Sequence, residues 1–153
     1  MWPRIALAAA AAVVSVGLAG CGGAAPSFAA QANAICTKAN RRIASLPPPK
    51  STVASYASAV SAEVPIVRRE VAELAVLKPP SGKRSAFATT LADARADVAL
   101  ADSMVADLER RDESKLSGLL VESAKLDRST RSEARALGIE DCGRSGSPPA
   151  KNA

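Results

Sequence analysis

An all-α fold, built as an antiparallel up-down four-helix bundle, is predicted by three features of the 153-residue sequence. Apolar residues recur at alternating spacings of three and four along four segments. Clusters of proline and glycine separate those segments with short connections. No stretch alternates apolar and polar residues at the period of two that a half-buried strand requires.

The first segment carries Phe28, Ala32, Ile35, Ala39, Ile43 and Leu46, with Ser27 ahead of them as a candidate N-cap. Pro47-Pro48-Pro49 ends it. The second carries Val53, Ala57, Val60, Val64, Val67, Val71 and Leu74. A helix from Ser51 to Leu77 would run about 40 Å at 1.5 Å per residue. Pro65 lies inside it and removes one backbone hydrogen bond, so the helix either bends there, with room for a pocket, or breaks. Lys78-Pro79-Pro80-Ser81-Gly82 makes the next break. The third segment carries Phe87, Leu91, Ala94, Val98, Ala101, Val105 and Leu108. Arg110-Arg111-Asp112 is a softer break, with Asp112 a candidate N-cap. The fourth stripe is the least regular: Leu116, Leu119, Ser123, Leu126, Thr130, Ala134 and Leu137.

Such stripes must be buried against one another, and short loops make sequential helices antiparallel neighbours. Helix 4 would then end beside the start of helix 1. Gly138 suits a left-handed cap there, after which Ile139 to Cys142 can fold back to Cys36. The helical domain is accordingly set at residues 27–142. Residues 143–153, rich in Gly, Ser and Pro, read as a disordered tail.

The amino terminus has a different character. Met1-Trp2-Pro3-Arg4 holds one positive charge, and Ile5 to Gly20 holds none. That apolar run is short of the roughly 20 residues needed to span a bilayer and fits the apolar region of a signal helix, residues 1–20. It ends in Leu18-Ala19-Gly20-Cys21, which resembles the lipobox of bacterial lipoproteins at all four positions. The resemblance implies cleavage after Gly20, a diacylglycerol on the Cys21 thiol and acylation of the new amine. Two acyl chains hold a protein stably to a membrane where one is marginal. Residues 21–26 then serve as a short tether on the outer face of the cytoplasmic membrane.

Removing residues 1–20 leaves 133 residues, enough for one domain, and takes away Arg4 alone, so the formal charge of +5 becomes +4. This modest excess permits weak attraction to anionic envelope surfaces. Nucleic acid is not an expected partner, since the mature chain has only Phe28, Tyr56 and Phe87 for stacking. Expected partners are the membrane, through Cys21, and an envelope protein or small ligand. The chain has no histidine, which removes the Ser-His-Asp and Cys-His arrangements and His-ligated zinc. No Gly-rich phosphate loop occurs. No cofactor or metal is expected.

With Cys21 lipidated, Cys36 and Cys142 are left as an even pair in an oxidising compartment. A disulfide between them would close a loop of about 100 residues, for which chain entropy suggests about 4–5 kcal/mol. Two free thiols or a redox pair are the alternatives, although no Cys-x-x-Cys spacing supports redox chemistry.

Several charged groups are candidates for function. Asp93, Asp97 and Asp102 follow one another along helix 3. The carboxylate di-iron pattern needs Glu-x-x-His pairs, which are absent, so a solvated face is the ordinary reading. Arg68 and Arg69 with Glu70 and Glu73, and Asp107 with Arg111, are spaced for surface pairs contributing about 0.2–0.5 kcal/mol each. Arg128, Arg131 and Arg135 form a basic row on helix 4, interleaved with Asp127 and Glu133, and offer a surface to an anionic partner. Phe87 falls on a core stripe, and Tyr56 lies one position off it with its hydroxyl within reach of solvent.

A lipoprotein rich in Ala and Arg, with Ala34-Ile35-Cys36 near its start and Leu137-Gly138-x-x-x-Cys142-Gly143 at its end, is similar to small actinobacterial secreted helical lipoproteins. That resemblance implies no activity. A patterned core without a catalytic set points to a non-enzymatic binding or envelope-interaction module. The alternatives are a carrier of a small molecule or lipid, with a cavity between helices near Pro65, and a hydrolase using carboxylates only.

Overall fold

A computed structural model describes residues 26–110 and 114–142. Expectations for the signal helix, Cys21, most of the tether, Arg111, Asp112 and the tail 143–153 fall outside them. Among the described residues there are four α-helices and no strand: α1 (Phe28–Ala44), α2 (Val53–Ala75), α3 (Arg84–Glu109) and α4 (Leu116–Ala136), with a single 3-10 turn at Ser81–Lys83.

The helix starts follow side-chain capping. Ser27 holds an extended backbone and its Oγ accepts from the Ala30 amide at 3.2 Å. Thr52 does the same for α2, accepting from the Ser55 amide at 3.2 Å. This cap begins α2 two residues later than the sequence pattern suggested. α4 has Lys115 at its N-cap position, with no side-chain cap bond. Pro65 does not break α2. The helix runs unbroken through it, and the ring is exposed on the outer side.

α4 ends in a Schellman motif. Gly138 adopts φ 80°, the Ile139 amide donates to the Ala134 carbonyl at 2.8 Å, and the Gly138 amide donates to the Arg135 carbonyl at 2.9 Å. Lys83 Nζ reaches across from the 3-10 turn and donates to the Leu137 carbonyl at 2.8 Å. The motif turns the chain onto α1, so that a Cβ built on Gly138 would lie 3.8 Å from Ala29 Cβ.

Three polar side chains of α1, spaced at i, i+4 and i+7, then hold the returning chain. Asn33 Nδ2 donates to the Gly138 carbonyl at 3.3 Å, and Asn33 Oδ1 accepts from the Asp141 amide at 3.0 Å. Thr37 Oγ1 donates to Asp141 Oδ2 at 3.1 Å, and Asn40 Nδ2 donates to the Asp141 carbonyl at 2.8 Å. Cys36 lies within this polar row. It is fully buried, and its sulfur stands at disulfide distance from that of Cys142, with Cα atoms 5.0 Å apart.

α1 packs on α2, α2 on α3 and α3 on α4, but no Cα atoms of α1 and α4 approach within 8 Å. The seam between the first and last helices is closed at one end by residues 137–142. The tightest core gathers there, around Cys36, Leu74, Phe87, Leu137 and Ile139, with Phe28 edge-on to Phe87 at 4.9 Å. The opposite end is looser: Val53, Tyr56, Leu120 and Val121 are all exposed.

Because Cys36 and Cys142 are separated by 106 positions, a bond between them removes much of the freedom of the unfolded chain. The double variant Cys36→Ala, Cys142→Ala is expected to lose about 4 kcal/mol of stability in urea titrations. A loss below about 1 kcal/mol would mean that the bond constrains nothing the helices do not already fix.

Candidate functional site: an interhelical cavity

The stripe on α3 is buried at its two ends, at Phe87, Thr90 and Leu91 and again at Met104 and Leu108. Between them Ala94, Val98 and Ala101 are only partly buried. These small side chains face valines of α2 and Ala124 of α4 across a cavity of about 420 Å³. Ligand sites commonly span about 300–1,000 Å³. Along α2 the lining runs from Tyr56 through Val60, Val64 and Val67 to Leu74, about 27 Å of helix at 1.5 Å per residue. Phe87, Ala134, Ile139 and Cys142 wall the inner end. At the other end Tyr56 and Leu120 also border an open groove with Val53 and Leu108.

The lining is mostly apolar, yet it includes Glu63, Glu70, Asp97 and Asp127 and neither lysine nor arginine. Glu70 reaches the inner end, where its carboxyl and the sulfurs of Cys36 and Cys142 all lie within 4.8 Å of one another. Sulfurs bonded to each other are not thiolates, so this trio is not a metal-ligand set. Burial pushes the Glu70 carboxyl up to about 7, and the negative charge of Glu73 adds to the rise. Burial also raises Glu63. Asp97 is raised by burial, against the opposing hydrogen bond that Ser123 Oγ donates at 2.8 Å, with repulsion from Asp127 adding to the rise.

Surrounding cations are committed elsewhere. Arg69 Nε and Lys38 Nζ meet Glu73 at 2.9 and 3.2 Å, and their hydrogen bonds hold its carboxyl below the usual range. Arg68 crosses to Asp102 on α3 at 2.7 Å. The sequence pattern had grouped Glu70 with these surface pairs. The helix geometry instead turns it inward, and among the described residues no side chain hydrogen-bonds its carboxylate. Thr130 Oγ1, on α4 in the same lining, is wholly buried and has no hydrogen-bond partner among the described residues.

The residues singled out from sequence are dispersed. Asp97 faces the cavity, Asp102 is in a surface pair, and Asp93 lies half-buried on α3, so the three aspartates form no common site. Asp107 is buried and pairs with Arg110. In the basic row Arg131 pairs with Asp127, while Arg128 and Arg135 are exposed and make no ion pair among the described residues. Phe87 is core, and Tyr56 is 38% exposed at the mouth. Glu63 and Glu70 were missed as site residues. Their seven-residue spacing beside the valine stripe was the available signal.

The paired carboxylates a glycosidase needs are a free acid and a free base or nucleophile. Here Ser123 holds Asp97 and Arg131 holds Asp127, whereas Glu63 and Glu70 make no side-chain hydrogen bond among the described residues. No protein-family model, curated protein or solved structure matches the chain.

Between pH 4.5 and about 7 the unfolded chain gives up the Glu70 proton while the folded chain retains it, so this group makes stability fall as pH rises through that window. The expected loss is at most about 3 kcal/mol. Glu70→Gln removes this contribution, so the stability gap between variant and wild type, from urea midpoints, should shift in favour of the variant from pH 5 to pH 8. A gap that stays constant would show that Glu70 titrates normally.

Proposed function

We propose that this chain is a non-enzymatic, lipid-anchored binding module of the cell envelope that carries an elongated, mainly apolar small molecule between its helices. In this reading the four helices form an antiparallel up-down bundle stapled by Cys36 and Cys142. Residues 1–20 direct export, and Cys21 ties the domain to the outer face of the cytoplasmic membrane.

The observation that carries the reading is the cavity of about 420 Å³ running along α2 past Pro65, with a half-exposed aromatic at its mouth. Interiors are normally packed to crystal density, and an apolar molecule entering this space would gain dispersion contacts with walls of valine and alanine. An apolar slot that opens at one end suits uptake and release. The exposed Arg128 and Arg135 favour a second, compatible activity: contact between α4 and an anionic partner.

Mass spectrometry of the chain extracted from membranes tests anchor and cavity together. The denatured mass should correspond to a chain beginning at Cys21 with a diacylglycerol attached. Under native conditions the chain should take up one N-phenyl-1-naphthylamine, a neutral apolar probe, and Ala101→Phe should abolish that uptake while the helix content stays unchanged. A chain retaining Met1 or a bare Cys21 would remove the address. Probe uptake that is absent, or indifferent to Ala101→Phe, would remove the cavity reading.

A further inference from the structure

The cavity is apolar in bulk and acidic in its polar groups, and the question is what molecule satisfies both. A neutral hydrocarbon would leave the half-buried Glu70 carboxylate without a counter-ion at the inner end. An anion would face four carboxylates with no lysine or arginine in the lining to offset them. Burying a charge without a partner is costly, so a site built this way discriminates by what it lacks.

We infer that the cavity's ligand is an amphiphilic amine, its ammonium group against Glu70 at the inner end and its apolar chain lying along α2 toward Tyr56. This rests on the cavity reading above and adds the chemical class of the ligand. Glu70 is the anchor because it stands at the inner end beside Cys36 and Cys142, and Asp97, Asp127 and Glu73 are occupied: Asp97 accepts from Ser123, Asp127 pairs with Arg131, and Glu73 pairs with Lys38 and Arg69. Glu63 lies two turns away toward the mouth, placed to attract the amine on entry.

The groups near Glu70 make its proton part of the binding equilibrium. From α1 the cavity presents Asn40, from α3 Thr90 and Asp97, from α4 Asp127 and Thr130, and from α2 Glu63, with Glu73 close by, ionised and paired with Lys38 of α1 and Arg69. None of the lining groups is a cation. An ammonium entering this site stabilises the ionised form of Glu70, so its binding releases the Glu70 proton. Amine affinity therefore rises with pH between 6 and 8, a range in which an alkylamine stays fully charged.

The test is displacement of N-phenyl-1-naphthylamine from the full mature chain by three ten-carbon probes, decylamine, decan-1-ol and decanoate, at pH 6 and pH 8. Decylamine should displace at about tenfold lower concentration than either other probe at pH 8, an advantage of about 1.4 kcal/mol. That advantage should shrink at pH 6 and in Glu70→Gln, whereas the decan-1-ol values should hold. The inference is overturned if decan-1-ol or decanoate matches decylamine, if none of the three displaces the probe, or if the amine advantage ignores both pH and Glu70→Gln. In those cases probe binding itself still supports the cavity. Failure of the probe to bind at all removes the cavity reading and the amine with it. Should Glu70→Gln fail to fold, the pH comparison on the wild-type chain decides alone.

Discussion

One contact governs this molecule: the grip of α1 on the chain that leaves α4. Asn33, Thr37 and Asn40 bind residues 138–141, and Cys36 meets Cys142 within the same row. The first and last helices have no close backbone approach of their own. Without this clasp α4 would be held by α3 alone, and the space between α2, α3 and α4 would open to water on one side. The polar bonds supply direction, since Asn33 and Asn40 match particular backbone groups, and Thr37 the Asp141 carboxylate, about a hundred positions away. The sulfur link supplies permanence by removing unfolded conformations. Gly138 makes both possible, because only a residue at ease with positive φ turns the chain back so sharply.

The clasp also explains why packing is uneven. Large side chains concentrate beside it: Phe28, Phe87, Leu74, Leu137 and Ile139 fill one end. Farther along, the facing positions are Ala94, Ala101, Ala124 and several valines, too small to meet across the gap. With one tyrosine, one tryptophan and two phenylalanines in the whole chain, few bulky groups are available to close it. A solid end thus holds open a hollow one. Into that hollow α2 turns Glu63 and Glu70, acids that a domain built only for stability would keep in water. Hollow volume and half-buried acid are both costly to stability, and both become useful when a complementary molecule enters.

Much of the architecture was legible because it is written in local patterns. The four helices follow from apolar periodicity, the start of α1 from Ser27 and the end of α4 from Gly138. Cys36 and Cys142 were the cysteines left to meet. Pro65 could not be resolved from sequence alone, because a proline on the outer side of a helix and a proline that breaks one look identical there. The polar clasp was illegible for a different reason. Nothing near Asn33 or Asn40 in the chain shows that their partners lie at Gly138 and Asp141. Glu70 was misassigned because spacing rules see only its own helix, where Arg69 and Glu73 look equally close. The direction it takes is set by α1 and α3, the helices packed on α2. The cavity is likewise a property of facing positions on three helices and of no single stripe.

Xenon settles against apolar walls and leaves packed interiors untouched, so diffraction from a crystal pressurised with xenon tests the central claim of a clasped shell around an interhelical cavity most directly. Xenon density is expected between α2, α3 and α4, beside Val67 and Ala101, with the Cys36–Cys142 link intact at the inner end. A crystal in which those side chains meet across the gap, leaving no room for the gas, would contradict the hollow interior on which the functional reading stands.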